Sequence, residues 1–140
     1  MSFLLPLDIS SSGLETQRRR MDIIASNLAN IETTRTEDGG PYRRKIVMMG
    51  PKKMGGADGS FYSRLEGVMI DDVAEDQSPF KKIYNPGHPD ANKEGYLLKP
   101  NVDLVVEITN MLMARRVFEA NIAAIKTTKQ MALKAFEIGR

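Results

Sequence analysis

The residues in this 140-residue chain with the chemistry for a site are few and scattered. His88 is the single histidine, set between Pro86 and Pro89 with Asp90 two residues on. One imidazole beside one carboxylate does not fill a metal's coordination shell, so His88 reads as a turn residue. Asp71, Asp72, Glu75 and Asp76 form an acidic cluster, but without the alternation and central glycine of a calcium loop. They read as a solvated strand end. Ser10, Ser11 and Ser12 have no base that the sequence identifies beside them, and helix capping accounts for them better than nucleophilic catalysis. Gly55, Gly56 and Gly59 do not lead from a strand into a helix as a phosphate-cradling loop requires. Cysteine is absent, which removes disulfides, thiolate metal sites and catalytic thiols. No constellation here performs acid–base, nucleophilic or metal chemistry. The expectation is a protein that is no enzyme, with no cofactor, no metal and no small-molecule substrate.

Bulk properties narrow the partners. A formal net charge of +2 is too small to imply nucleic acid. Arg18, Arg19 and Arg20 fan around a helix rather than forming a stripe, so they read as a solvated or interfacial face. No span approaches eighteen apolar residues, so no transmembrane segment is expected. The opening Met-Ser-Phe-Leu-Leu-Pro-Leu-Asp is too short an apolar run for a cleaved secretory signal. Nine methionines and no tryptophan suggest adaptable packing surfaces.

Two terminal helices frame the chain. From Asn101, a candidate cap with Asp103 in the first turn, to Gly139, neither proline nor glycine interrupts the sequence. A helix over about 102–138 is roughly 55 Å long. One stripe at spacings of three and four passes through Leu104, Ile108, Met111, Phe118, Ile122, Ile125, Ala132 and Phe136, broken by Arg115 and Lys129. A second, through Met113, Val117, Ala120, Ala124, Met131, Ala135 and Ile138, lies beside it. Two apolar stripes need more than one neighbour. At the other end, Ser2 to Ile31 reads as an amphipathic helix. Leu7, Leu14, Met21 and Leu28 recur every seven residues, with Ile24 and Ile31 at intermediate positions. Irregular geometry is expected near Ser10 to Gly13.

Between the helices, six of seven prolines and nine of eleven glycines fall from Gly39 to Pro100. Glu37 to Pro41 and Asn85 to Asp90 read as turns. Tyr42–Met49, Gly67–Val73, Phe80–Tyr84 and Gly95–Lys99 read as strands, and Pro51–Ser60 as a loop. The expected class is α+β, with long N- and C-terminal helices pairing as a coiled coil around a small β-rich insert. The segments are 1–35, 36–100 and 101–140, the first and last packing as one helical domain.

Several stretches carry a family signature. Ser12-Gly13-Leu14, Arg18, Met21 and Ser26-Asn27-Leu28-Ala29-Asn30 resemble the N-terminal signature of the bacterial flagellar rod and hook proteins. Ala114 to Asn121 resembles their C-terminal segment, with Phe118 where a tyrosine is common. The middle is similar to the proximal rod members, through Thr33-Thr34-Arg35-Thr36, Gly39 to Arg44, Asn85 to Ala91, Glu94-Gly95-Tyr96 and Pro100-Asn101-Val102. Only about 50–66 is unmatched. The resemblance implies a structural subunit that polymerises helically into the periplasmic drive shaft. Its partners would be itself, other rod subunits and the flagellar type III export apparatus.

On that reading the assembly interface comprises Leu7, Leu14, Met21, Ile24, Leu28, Ile31, Leu104, Ile108, Met111, Phe118, Ile122, Ile125 and Phe136. Ser2, Phe3, Leu4, Leu5, Pro6 and Leu7 would form the uncleaved export segment. Asn27, Asn30, Glu119 and Asn121 are the polar signature. The asparagines are expected to fix helix register or to cap loop backbone. The competing class is a soluble helical adaptor or export chaperone that binds one partner helix and never polymerises.

Overall fold

A computed structural model describes residues 5–37, 39–53 and 65–138. Helix α1 spans Leu5–Ala29 and helix α2 Leu104–Ile138. Between them lie β1 (Lys45–Lys53), β2 (Glu66–Glu75), β3 (Lys81–Tyr84) and β4 (Tyr96–Lys99). The strands form two separate antiparallel hairpins, β1 with β2 and β3 with β4. All four expected strands are present. β1 starts later than expected, at Lys45, and runs on through Pro51, Lys52 and Lys53, which the sequence suggested were loop. The rest of that loop lies outside the described residues.

Helix α1 is unbroken through Ser10–Gly13, where irregular geometry was expected. The serines stay compatible with the helix because Ser12 turns its hydroxyl back onto the Ile9 carbonyl at 2.7 Å. At its end, Asn30 donates from Nδ2 to the Ser26 carbonyl at 2.9 Å, which also accepts the Asn30 amide at 3.1 Å. Its Oδ1 receives the Thr33 hydroxyl at 3.1 Å. The chain then turns tightly at Gly39 and Gly40, whose φ values of 83° and 86° lie where side chains are strained.

The start of α2 also differs from expectation. Asp103, not Asn101, is the cap: its Oδ1 accepts the Val105 and Val106 amides at 3.0 and 3.2 Å. Those bonds hold the Asp103 carboxyl below its ordinary range, the Val106 amide contributing most. Asn101 is drawn away to the insert, accepting the Arg44 amide at 2.8 Å and donating to the Asp76 carbonyl at 2.9 Å. An amide side chain can satisfy both a donor and an acceptor of neighbouring backbone, which a carboxylate cannot.

The helices run antiparallel, Gly13 beside Asn121 at one level and Asn27 bonded to Glu107 at the other. At 1.5 Å per residue α2 is about 52 Å long and α1 about 37 Å, so α2 extends past the start of α1. The shielded line on α2 is Glu107, Met111, Ala114, Phe118, Asn121, Ile125, Thr128 and Ala132. It alternates steps of four and three, but runs through Glu107 and Ala114 rather than the Leu104, Ile108 and Arg115 of the sequence stripe.

Among the described residues the apolar core is small: Ile24, Tyr42, Leu97, Val102 and Ala114. As many polar residues are buried, namely Ser12, Thr16, Gln17, Asn27 and Glu107.

Candidate assembly surface

Ser12, Thr16 and Asn27 of α1 are buried where they bond the edges of the β1–β2 hairpin. Asn27 sits where α1, β1 and α2 meet, 1% exposed. Its Oδ1 accepts the Lys45 amide at 2.9 Å and the Tyr42 hydroxyl at 3.0 Å. Its Nδ2 donates to the Lys45 carbonyl at 2.9 Å and to Glu107 Oε2 at 3.1 Å. All four hydrogen-bonding positions of the amide are filled. The side chain pairs with Lys45 as a neighbouring strand would, giving and taking one bond. Eleven residues earlier on α1, Thr16 donates to the Val68 carbonyl and Ser12 accepts the Val68 amide, both at 3.1 Å. Val68 thus receives the same two-bond pairing from two hydroxyls one helical turn apart.

Glu107 completes the junction from α2. Its Oε1 accepts Arg44 Nε and Nη2 at 2.8 and 2.7 Å. Glu107 is buried and Arg44 partly so, and removing one member of such a pair is costly because it leaves the other charge without its main partner. Arg44 also reaches Asp76 at 3.5 Å. The Asp76 carboxyl lies below its ordinary range, chiefly through the Ser78 hydroxyl and amide.

The sequence-selected residues divide by place. Ile24 is buried, and Leu7, Leu14, Met21, Leu28 and Ile31 are half-buried. Met111, Phe118, Ile122 and Ile125 are half-buried along α2. Leu104, Ile108 and Phe136 are exposed on its outside, away from the line that meets α1. Asn121 lies against Gly13, Asn30 bonds the Ser26 carbonyl at the end of α1, and Glu119 is exposed in an i,i+4 pair with Arg115. Leu5, Pro6 and Leu7 form the first turn of α1; Ser2, Phe3 and Leu4 lie outside the described residues. Ser12, Thr16, Gln17, Arg44 and Glu107 were missed as organising residues. The available signal was the seven-residue repeat of Glu107, Ala114, Asn121 and Thr128, which contains no large apolar residue.

The outer surface is apolar along much of α2. Leu104, Val105, Val106, Ile108, Leu112, Met113, Val117, Met131, Leu133, Phe136 and Ile138 are all exposed, Val105 at 72% and Phe136 at 76%. An exposed apolar face of this extent marks surface that association would cover. Among the described residues no cluster of His, Cys, Asp or Glu has metal-binding form, and no helix is long and apolar enough to cross a membrane. His88 sits in its turn, its Nδ1 accepting the Asp90 amide at 3.1 Å.

The fold is therefore a helix pair with a β insert, joined by buried polar side chains and carrying an exposed apolar face on α2. The chain belongs to the flagellar basal-body rod protein family. Residues 7–35 match the family model described as flagella basal body rod protein, and residues 93–138 that of the flagellar basal body rod FlgEFG protein C-terminal region. It is 42% identical to the flagellar basal-body rod protein FlgC of Bacillus subtilis, over 96% of each chain. It is 39% identical to FlgC of Escherichia coli O6:H1 and 40% to that of Salmonella typhimurium, over the full length of both chains in each case.

Proposed function

We propose that this chain is a structural subunit of the flagellar basal-body rod, at its proximal end, and that it polymerises into the shaft that transmits torque. The observation that carries this reading is the end-to-end similarity to FlgC rod proteins. The outward apolar surface of α2 supports it. Heterologous contacts between like subunits that do not close generate helical filaments. Helices α1 and α2 pair as a coiled coil in the tube wall and pack on those of neighbours, through Leu104, Ile108 and Phe136 among others. The β insert lies outside that wall and meets adjacent rod subunits. The working partners are further copies, related rod subunits and the type III export apparatus, which engages Ser2 to Leu7 without cleaving it. The rod is periplasmic. The role is mechanical, with no catalytic step and no cofactor. Similarity over the whole chain favours a rod subunit over an adaptor or chaperone.

The test uses residues that the isolated fold leaves exposed. Val105→Asp adds a charge at a position 72% exposed, where surface substitutions change stability by roughly 0.5 kcal/mol or less. In a cell whose own copy is deleted, this variant is expected to be exported and to fail in rod assembly and motility. Normal swimming from Val105→Asp and equally from Phe136→Asp would remove the outer face of α2 from the interface.

A further inference from the structure

The insert is joined to the helix pair only through 30–44 and 100–103. Both connections leave from the same end of the pair, an arrangement that by itself lets the β1–β2 hairpin swing. Three side-chain clusters oppose that motion. Near the pivot, Asn27 holds both backbone groups of Lys45, and Glu107 grips Arg44. Further along α1, Ser12 and Thr16 hold both backbone groups of Val68. Thr16 and Asn27 lie about 16 Å apart along the helix. Lys45 and Pro51, the register partner of Val68, lie about 20 Å apart along the strand. The hairpin is thus fastened along α1 at two well-separated points, and two fixed points remove the swing that one would leave.

We propose that Ser12, Thr16 and Asn27 are positioning residues that lock the β1–β2 hairpin to the helix pair at one angle, with Glu107 and Arg44 bracing the pivot. The bonds are suited to this. Each clip binds both the N–H and the C=O of one residue, so it fixes direction as well as distance, as strand pairing does. The clips also cover edge groups of both strands, which would otherwise invite pairing with another chain. In the rod reading, on which the consequence for torque rests, a locked hairpin lets a load on it reach the tube wall without a compliant hinge. Hinge motion concentrates in the few residues that connect two bodies, and here those residues are bridged by clips from α1.

The absence of cysteine makes the full chain ready for paired spin labels, one at Asp72 on β2 and one at Arg116 on α2. Pulsed electron-spin distance measurement on the dilute full chain is expected to give a single narrow peak. Ser12→Ala with Thr16→Val removes the far clip, and Asn27→Leu the near one. Combining all three is expected to lose the narrow peak to a broad distribution, with helix content by circular dichroism retained. Thr16→Ser keeps its hydroxyl and should keep the narrow peak. An unchanged narrow peak in the triple variant overturns the lock. Loss of helix content together with the peak also overturns it, because the clips would then hold the fold rather than the angle. This measurement needs no rod, so its outcome stands apart from the motility result for Val105→Asp.

Discussion

Replacing Gly13 with alanine sets two effects of similar size against each other. Gly13 lies inside α1, well away from either end, where alanine is better than glycine by about 1 kcal/mol. At this position, however, the new Cβ would fall 2.9 Å from Asn121 Nδ2 and 3.2 Å from its Cγ and Oδ1. Asn121 has a short side chain held between two packed helices, so it must leave its rotamer or force the helices apart. Overpacking of this kind costs about 1–3 kcal/mol. Because the clash is with the end of a side chain and not with backbone, a value near the middle, about 2 kcal/mol, is appropriate. The net expectation is a loss of about 1 kcal/mol for Gly13→Ala. Urea unfolding followed by circular dichroism would read it. The decisive measurement adds Asn121→Ala and the double variant. With Asn121 shortened the clash is gone, and Gly13→Ala should then stabilise by about 1 kcal/mol. The sign reverses, and the coupling energy is about 2 kcal/mol. If Gly13→Ala stabilised equally in both backgrounds, the close approach of α1 and α2 would not be the reason for the glycine.

Glu107→Ala should destabilise by about 3 kcal/mol, the low end for breaking a buried pair, since Arg44 keeps Asp76 as a partner; denaturant midpoints check this. Gln17 is buried and its Oε1 has no hydrogen-bond partner among the described residues, so Gln17→Met should stabilise by about 1 kcal/mol by removing an unsatisfied acceptor at similar volume; a lowered thermal midpoint would contradict this. Asp76 and Asp103 both have carboxyls held below the ordinary value of 3.8. Their contribution is therefore fully present above that value and is lost as pH falls through the lower folded values. An acid titration of the thermal midpoint should show this fall, shallower in Asp103→Asn than in the parent.

Most of the secondary structure was legible because each element follows its own local rule. Four apolar-rich runs bounded by glycine and proline became four strands, and the long uninterrupted terminus became α2. The helix contacts were less legible, for one physical reason. Hydrophobic periodicity assumes that the buried face is the apolar one. On α1 the buried positions Ser12, Thr16 and Asn27 are polar because they bond strand edges, and Asn27 also bonds Glu107 on the facing helix. Leu104 and Ile108, chosen for their apolarity, point outward for the complementary reason: the inward position at that level is taken by Glu107. Asn27 was singled out through family resemblance, but its partners Lys45 and Tyr42 are set by tertiary geometry. The Asp103 cap was one residue pair away from the expected one, since Asn101 and Asp103 compete for the role and only the fold assigns Asn101 to Arg44.

This distribution of polar and apolar groups has a mechanical logic on the rod reading. Apolar contacts are non-directional, and their strength follows area rather than angle. They suit an outer surface that must meet several related but non-identical neighbours, and the exposed Met113 and Met131 on α2 add side chains that adapt their shape. Hydrogen bonds are directional, and a buried unsatisfied one is costly, so they penalise small rotations that an apolar contact would tolerate. Placing Asn27, Thr16, Ser12 and Glu107 inside the subunit makes its internal geometry stiff. Leaving Val105, Leu112, Val117 and Phe136 outside lets neighbouring subunits settle into place. A shaft built from such units would yield first at the contacts between subunits. The inverse arrangement, with polar clips between subunits and a greasy hinge within each, would yield at the insert. The spin-label distances and the outer-face substitutions separate these two cases, since the first measures stiffness inside one chain and the second the surface between chains.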